Sequence, residues 1–177
     1  IITKNALVQR DIDILADMAK KNLTQVILSV TTLDDDLRSK MEPRTASVQK
    51  RLETIEALSS AGIPVSVMMA PIIPGLNAHE VFNVLKAVKK AGARDAHYTM
   101  VRLNGQIADI FTAWVRQTYP DRADRVLNQI RSVHEDSLKD NAFGRRMRGS
   151  GQVAQHIKDT FGLARQKVFG MPDRLVL

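Results

Sequence analysis

The sequence of 177 residues contains no cysteine. No disulfide, thiolate-held zinc, cysteine nucleophile or cysteine-ligated iron–sulfur cluster can form from its own side chains. Aromatics make up only 5% of the chain. The cluster Phe111, Trp114 and Tyr119 reads as helix packing rather than a base-stacking platform. No apolar run reaches the roughly 18–20 residues that a membrane span needs. No secretory pattern opens the chain, so a cytoplasmic protein without a membrane partner is expected. The four histidines, His79, His97, His134 and His156, fall into no zinc spacing. There is no Walker loop, no Gly-x-Gly-x-x-Gly between a strand and a helix, and no serine nucleophile elbow. The chain begins at Ile1 rather than Met, so an N-terminal segment is expected to be missing.

What is present is ordinary globular composition, with 44% apolar and 25% charged residues. The length suits one domain with its own core, or a sizeable piece of a larger one. The net charge of +7 is unevenly spread. Residues 1–120 hold 15 basic and 12 acidic groups, and residues 121–177 hold 11 and 7. The densest basic window runs from Gly144 to Gly151, with Arg145, Arg146 and Arg148 and no acid. Such a window attracts phosphate through Coulomb energy and counterion release. It reads either as a solvated loop or as a nucleic-acid contact.

The order of elements says more. Ile1–Thr3 reads as the end of a strand, and Leu7 to Lys21 as a helix with Leu7, Ile14, Leu15 and Met18 at near-helical spacing. Val26 to Thr31 is a β-branched strand. Asp34, Asp35 and Asp36 favour a short helix start, ended before Pro43. Ser47 to Ala61 is a helix with Val48, Leu52, Ile55 and Leu58 inside, stopped by Gly62. Val65 to Ala70 is a strand, followed by the rigid loop Pro71–Gly75. Asn77 is placed to cap a helix running to Ala91. A strand over Ala96–Leu103 precedes helices from about Gln106 to Thr118 and from Pro120 to Asp136. The last helix is expected over Gln152–Phe161, before an irregular tail. Strands alternating with helices imply an α/β fold with parallel pairing.

Ligands of such folds sit at the C-terminal ends of strands. Lys4 lies at the first end, where it could neutralise a carboxylate or phosphate, or be a plain surface lysine. Ser29 and Thr31 share a strand face directed at the interior, as ligand donors or as hydroxyls bonded to nearby backbone. The segment Pro71–Gly75 offers carbonyls and apolar side chains suited to a flat base, or is simply a stiff turn. Arg44 could clamp a carboxylate bidentately, or pair with Glu42. His97 and Tyr98 lie in a strand and read best as packed side chains.

Taken in order, these strand ends are familiar. They comprise Ile2-Thr3-Lys4-Asn5, Ser29-Val30-Thr31-Thr32, Glu42-Pro43-Arg44-Thr45, Arg51-Leu52 and Ala61-Gly62-Ile63-Pro64-Val65. Ala70-Pro71-Ile72-Ile73-Pro74-Gly75-Leu76-Asn77 follows, then Phe143-Gly144 and Met147-Arg148-Gly149. The set, covering roughly residues 1–151, resembles the radical S-adenosylmethionine (radical SAM) superfamily, in the branch similar to spore photoproduct lyase and often called DNA-repair-photolyase-like. The resemblance implies a partial (β/α)₆ barrel holding S-adenosylmethionine against a [4Fe–4S] cluster. One electron from the cluster would cleave the sulfonium to a 5′-deoxyadenosyl radical, which takes hydrogen from substrate. It implies that Lys4 and Ser29 contact the methionyl and ribose region, with Thr31 and Arg44 beside them. Ala70, Ile72, Ile73 and Gly75 would line the adenine.

Two departures stand out. Pro71 replaces the first glycine of the family's last loop, and the family's Cys-x₃-Cys-x₂-Cys motif has no counterpart. The resulting expectation is the C-terminal portion of a partial (β/α) TIM-like barrel with parallel strands, plus extra C-terminal helices. Residues 1–136 would form the barrel part, and residues 137–177 a basic loop, a helix and a tail. The chain would be an inactive fragment of a lyase-like enzyme whose cluster is held by a missing N-terminal part. Its substrate is unassigned, with DNA suggested by the lyase branch. The alternatives are a nucleic-acid-binding module, and a cluster-free α/β barrel enzyme holding a phosphorylated metabolite at Lys4 and Gly75. An opened barrel also leaves an apolar face, to be covered by self-association or by the C-terminal helices.

Overall fold

The apolar runs form four strands in the computed structural model, which describes residues 1–134 and 149–170. They are β1 (Ile2–Thr3), β2 (Val26–Ser29), β3 (Val65–Ile72) and β4 (Asp95–Met100). The sheet order is β1-β2-β3-β4, and every pairing is parallel. Parallel neighbours need crossovers, which the helices supply. The α-helices are α1 (Ile12–Ala19), α2 (Asp35–Met41), α3 (Val48–Ser60), α4 (Val81–Lys90), α5 (Ile107–Thr118), α6 (Ala123–Val133) and α7 (Gly151–Phe169). This α/β arrangement is that of part of a (β/α) barrel.

Local chemistry accounts for the helix boundaries. Asp34 accepts from the Asp36 and Leu37 amides, and Ser47 from the Lys50 amide, so both cap the helices that follow them. The Leu7–Lys21 segment divides, with a 3₁₀ turn over Ala6–Asp11 before α1. Only Leu15 of its apolar residues is fully buried, and Leu7, Ile14 and Met18 are exposed. Asn77 does not cap α4, because its side chain is engaged elsewhere. The last helix is eight residues longer at its C-terminal end than the sequence suggested, reaching Phe169.

The face of the sheet carrying Val26, Leu28, Val65, Val67, Met69 and Ala96 is fully buried under the helices. Helix α4 contributes Val81, Val84, Leu85 and Val88 to the same core. Each such side chain contributes about 1.5–3 kcal/mol relative to exposure. Helix α7 adds Ala154, Ile157, Phe161 and Ala164, with Phe161 packed on Tyr98 at 4.5 Å between ring centroids. Arg165 of α7 holds Asp95 of β4 with two bonds, at 2.6 and 2.7 Å. A second cluster joins Leu37, Ile73, Leu76, Val101 and Leu103 to α5 and α6. Trp114 packs there between Phe111 and Tyr119 and donates to the Lys40 carbonyl, which fits helix packing.

The opposite face is far less apolar. The parallel register aligns Ile2, Ile27, Ser66 and Asp95, then Ser29, Met68 and His97. Ser29 and Ser66 are buried, whereas His97 is exposed, with Nε2 3.5 Å from Asp95 Oδ2. His97 is therefore not the packed histidine that its strand position suggested. No helix among the described residues is long and apolar enough to cross a membrane.

Candidate functional site

Two strand ends and helix α3 converge on one carboxylate. Glu42, at the end of α2, is 8% exposed. Its Oε1 accepts from Lys4 Nζ after β1, and from Thr31 Oγ1 after β2 at 2.9 Å. Its Oε2 accepts from Arg51 Nη2 of α3 at 2.6 Å. Arg51 is 2% exposed and fully committed. Its Nε donates to the Ala46 carbonyl, its Nη1 to the Ser29 carbonyl and its Nη2 also to Thr45 Oγ1, at 3.0, 2.9 and 2.6 Å. A buried arginine with every nitrogen satisfied is the condition under which burying that charge is tolerable.

Burial pushes the Glu42 carboxyl up, but hydrogen bonds and charge from Lys4 and Arg51 outweigh it and hold the group below its ordinary value. Glu42 is therefore ionised at neutral pH. Two cations face one anion, so the trio carries a net charge of +1. Lys4 is the member that reaches solvent, with a side chain 39% exposed. The strand mouth thus presents a single, backed ammonium group, which suits an anionic ligand group.

A second layer fixes the loops around it. Asn77 is completely buried. Its Oδ1 accepts from the Ile73 amide at 2.7 Å, and its Nδ2 donates to the Thr31 and Pro71 carbonyls at 2.9 and 3.0 Å. One amide therefore ties the end of β2 to the loop after β3. Glu80, also buried, repeats the connection by accepting from Thr32 Oγ1 and the Leu33 amide at 2.5 and 2.7 Å.

These bonds bring together Lys4, Ser29 and Thr31, three residues singled out by strand position. Ser29 and Thr31 are 5% and 1% exposed. Arg44 is not part of the cluster. It is exposed, and the Glu42 carboxylate is bonded to Lys4 and Arg51 in its stead. The Pro71–Gly75 segment also differs in detail from its reading as a run of free carbonyls. The Pro71 carbonyl accepts from Asn77, the Ile72 carbonyl from the Val101 amide, and the Ile73 carbonyl from the Leu76 and Asn77 amides. The side chains of Ile72 and Ile73 lie in the two cores, at 0% and 1% exposure. Ala70 is half-buried, and its carbonyl lies 3.5 Å from the Thr31 hydroxyl. Gly75 has a φ of +79°, and a Cβ there would stand 2.8 Å from Gln129 Oε1 and 3.1 Å from Val126 Cγ2. Close packing of the loop on α6 thus requires glycine.

Glu42, Arg51 and Asn77 carry most of this geometry, and strand-end reading alone did not assign them. Arg51 left a signal. It stands on the buried stripe of α3 with Val48, Thr54, Ile55 and Leu58, where a charge demands a partner. Arg145, Arg146 and Arg148 lie outside the described residues. A cavity of about 360 Å³ opens elsewhere, lined by Leu33, Leu37, Leu76 and His79 among others, and not by Lys4, Ser29, Thr31 or Glu42. Among the described residues no three His, Asp or Glu side chains are grouped to hold a metal ion.

Comparison with known proteins finds relatives over part of the chain. The chain is 29% identical over 127 residues to the uncharacterized protein Rv2578c of Mycobacterium tuberculosis, covering 71% of this chain and 37% of that protein. It is 26% identical over 129 residues to the uncharacterized protein MJ0683 of Methanocaldococcus jannaschii, covering 73% of this chain and 47% of the relative. The uncharacterized protein ORF301 of Acidianus two-tailed virus is 35% identical over 74 residues, 42% of this chain and 24% of the viral protein. The chain thus spans less than half the length of each of these relatives. The stretch from residue 1 to residue 88, which contains the whole Lys4–Glu42–Arg51 network and the loop tied down by Asn77, matches the family model of the Radical SAM superfamily.

Proposed function

We propose that this chain is the S-adenosylmethionine-binding portion of a radical SAM enzyme. One observation carries the reading: the family match coincides with a strand mouth where Lys4 is the solvent-reaching member of a network of net charge +1. S-adenosylmethionine carries a carboxylate that such an ammonium would receive. In this reading Lys4 binds the methionyl carboxylate, Ser29 and Thr31 line the adjacent wall, and Ala70 offers its carbonyl to the polar edge of the adenine. Ile72, Ile73 and Gly75 shape that wall through their backbone, and Arg44 approaches from the exposed loop. Bound there, S-adenosylmethionine supplies the precursor of a 5′-deoxyadenosyl radical.

The residues present do not fit an iron–sulfur cluster. The chain has no thiolate, and no group of three acidic or imidazole ligands occurs among the described residues. In this proposal the cluster is held by polypeptide outside these 177 residues. The match covers only 37% and 47% of two relatives, whose remaining length supplies room for it.

The finer reading is a lyase-like enzyme acting on DNA, supported by the net charge of +7. An exposed apolar first β-α unit further supports association with a second copy when the chain is isolated. The test is direct. The full protein containing this sequence, purified without oxygen, reconstituted with iron and sulfide and reduced with dithionite, is expected to convert S-adenosylmethionine to 5′-deoxyadenosine. A reconstituted protein that neither binds nor cleaves S-adenosylmethionine overturns the proposal. For the DNA reading, affinity that does not weaken steeply as salt rises overturns it.

A further inference from the structure

Resting on that reading, we infer that Glu42 is a positioning residue for the anionic arm of S-adenosylmethionine, acting through Lys4, and that Arg51 sets the charge that makes Lys4 attractive. The ammonium of a lysine is a point charge on a flexible four-carbon stem. Left alone on a surface it samples many rotamers, and ordering it on ligand arrival costs free energy. Here Glu42 Oε1 already holds Nζ, while one of the three ammonium donors suffices for that bond. The other two remain for a ligand.

A lone Lys4–Glu42 pair would be neutral and would attract an anion weakly. Arg51 changes the balance. It donates to the same carboxylate from inside, where it is 2% exposed and no ligand can reach it. Glu42 is thus shared between a buried cation and a half-exposed one, and the unmatched positive charge falls at Lys4. Thr31 Oγ1, donating to the same oxygen as Lys4, fixes the carboxylate from a third side. The carboxylate is an orienting group for the lysine and contributes no bond to the ligand.

The experiment compares two ligands on the full 177-residue chain by calorimetric titration at low salt. S-adenosylmethionine has the aminocarboxypropyl arm, and 5′-methylthioadenosine keeps the adenosine and sulfur but lacks it. Glu42→Gln and Lys4→Met are each expected to weaken S-adenosylmethionine tenfold or more. Both should leave 5′-methylthioadenosine within twofold of the unsubstituted chain. The double variant should lose no more than Lys4→Met alone, because Glu42 acts through Lys4. Should Glu42→Gln fail to fold by circular dichroism, Glu42→Asp carries the comparison, since it keeps the charge and withdraws it by one methylene. Equal losses for both ligands, additive losses in the double variant, or no loss in the Glu42 variants overturn the inference while leaving the binding proposal standing. An unsubstituted chain that binds neither ligand overturns the inference, while the binding proposal stands or falls with the reconstituted full protein.

Discussion

Arg51 Nη2 lies 2.6 Å from Glu42 Oε2, with the two side chains only 2% and 7% exposed. Charges so far from water are costly, and Coulomb attraction alone does not reliably offset their desolvation. The pair is sustained because its remaining polar capacity is met by Lys4, Thr31, Thr45, Ala46 and Ser29. Those partners come from the ends of β1 and β2 and from the loop after α2, while Arg51 itself stands on α3. The pair therefore fixes the mouth of the sheet as a unit.

Removing the arginine exposes that dependence. Arg51→Met keeps much of the apolar volume on α3 but leaves Glu42 with one cation and strands the Ser29 and Ala46 carbonyls. Loss of one partner from a buried pair costs about 3–5 kcal/mol. Urea unfolding should show a lower midpoint with an unchanged slope, the product of shift and slope matching that loss. A loss under about 1 kcal/mol, the usual size for an exposed ion pair, would contradict the buried-hub account.

Acid should loosen the same region. Glu42 is held below its ordinary value, burial raising it and Lys4 and Arg51 lowering it by more. Asp95 behaves alike, with burial opposed by Arg165 and the Ala96 amide. A carboxylate whose folded value is depressed contributes stability that is fully present above its unfolded value. That contribution is lost as pH falls through the folded value. Unfolding free energy should therefore draw no pH dependence from these groups above about pH 5, and should decline once pH falls below about 4.3. Glu42→Gln should flatten part of the decline. A decline that begins near pH 6.5 would point to histidine instead.

The parallel α/β order was legible because strand-like apolar runs alternated with capped, periodic helices. Lys4, Ser29 and Thr31 were legible as strand-end residues, since the position of a parallel strand's end can be read from where its apolar run stops. The hub itself was not. Glu42 and Arg51 are nine residues apart on different helices, and which cation meets a given carboxylate depends on how α2 and α3 dock. Glu42 was read beside Arg44, its sequence neighbour, yet its arginine partner comes from α3. Asn77 misled for a related reason. Its side chain serves a cap or a loop staple equally well, and the choice is made by the Thr31 carbonyl, 46 residues away. The length of α7 was missed because its last turns depend on contacts with β4 and α4, such as Arg165 with Asp95 and Lys89 over Phe169.

Asn77 offers a clean test of the loop staple. Asn77→Ala leaves the Ile73 amide without its side-chain acceptor and takes the donor from the Thr31 and Pro71 carbonyls. An unsatisfied buried group costs about 1–3 kcal/mol. Asn77→Asp keeps the acceptor for Ile73 but turns a carboxylate on two carbonyls, so it should destabilise at least as strongly. Hydrogen exchange at Ile73 should accelerate in both. If Asn77 were instead a helix cap, protection would fall at the start of α4 and Ile73 would be spared.

The first β-α unit leads to the last expectation. Strand β1 lies at the edge of the sheet, with β2 as its neighbour. Of the nine exposed large hydrophobics among the described residues, six lie in this unit: Ile1, Ile2, Leu7, Ile14, Met18 and Leu23. An open strand edge beside apolar side chains favours pairing with another chain. The isolated chain should therefore self-associate at tens of micromolar, read by light scattering on a sizing column. Ile14, 59% exposed on α1, can be changed without touching the core. Ile14→Asp combined with Leu7→Asp should restore a monomer while leaving the far-ultraviolet circular dichroism intact. An unsubstituted chain that remains monomeric at that concentration would show that this apolar edge does not drive association between copies.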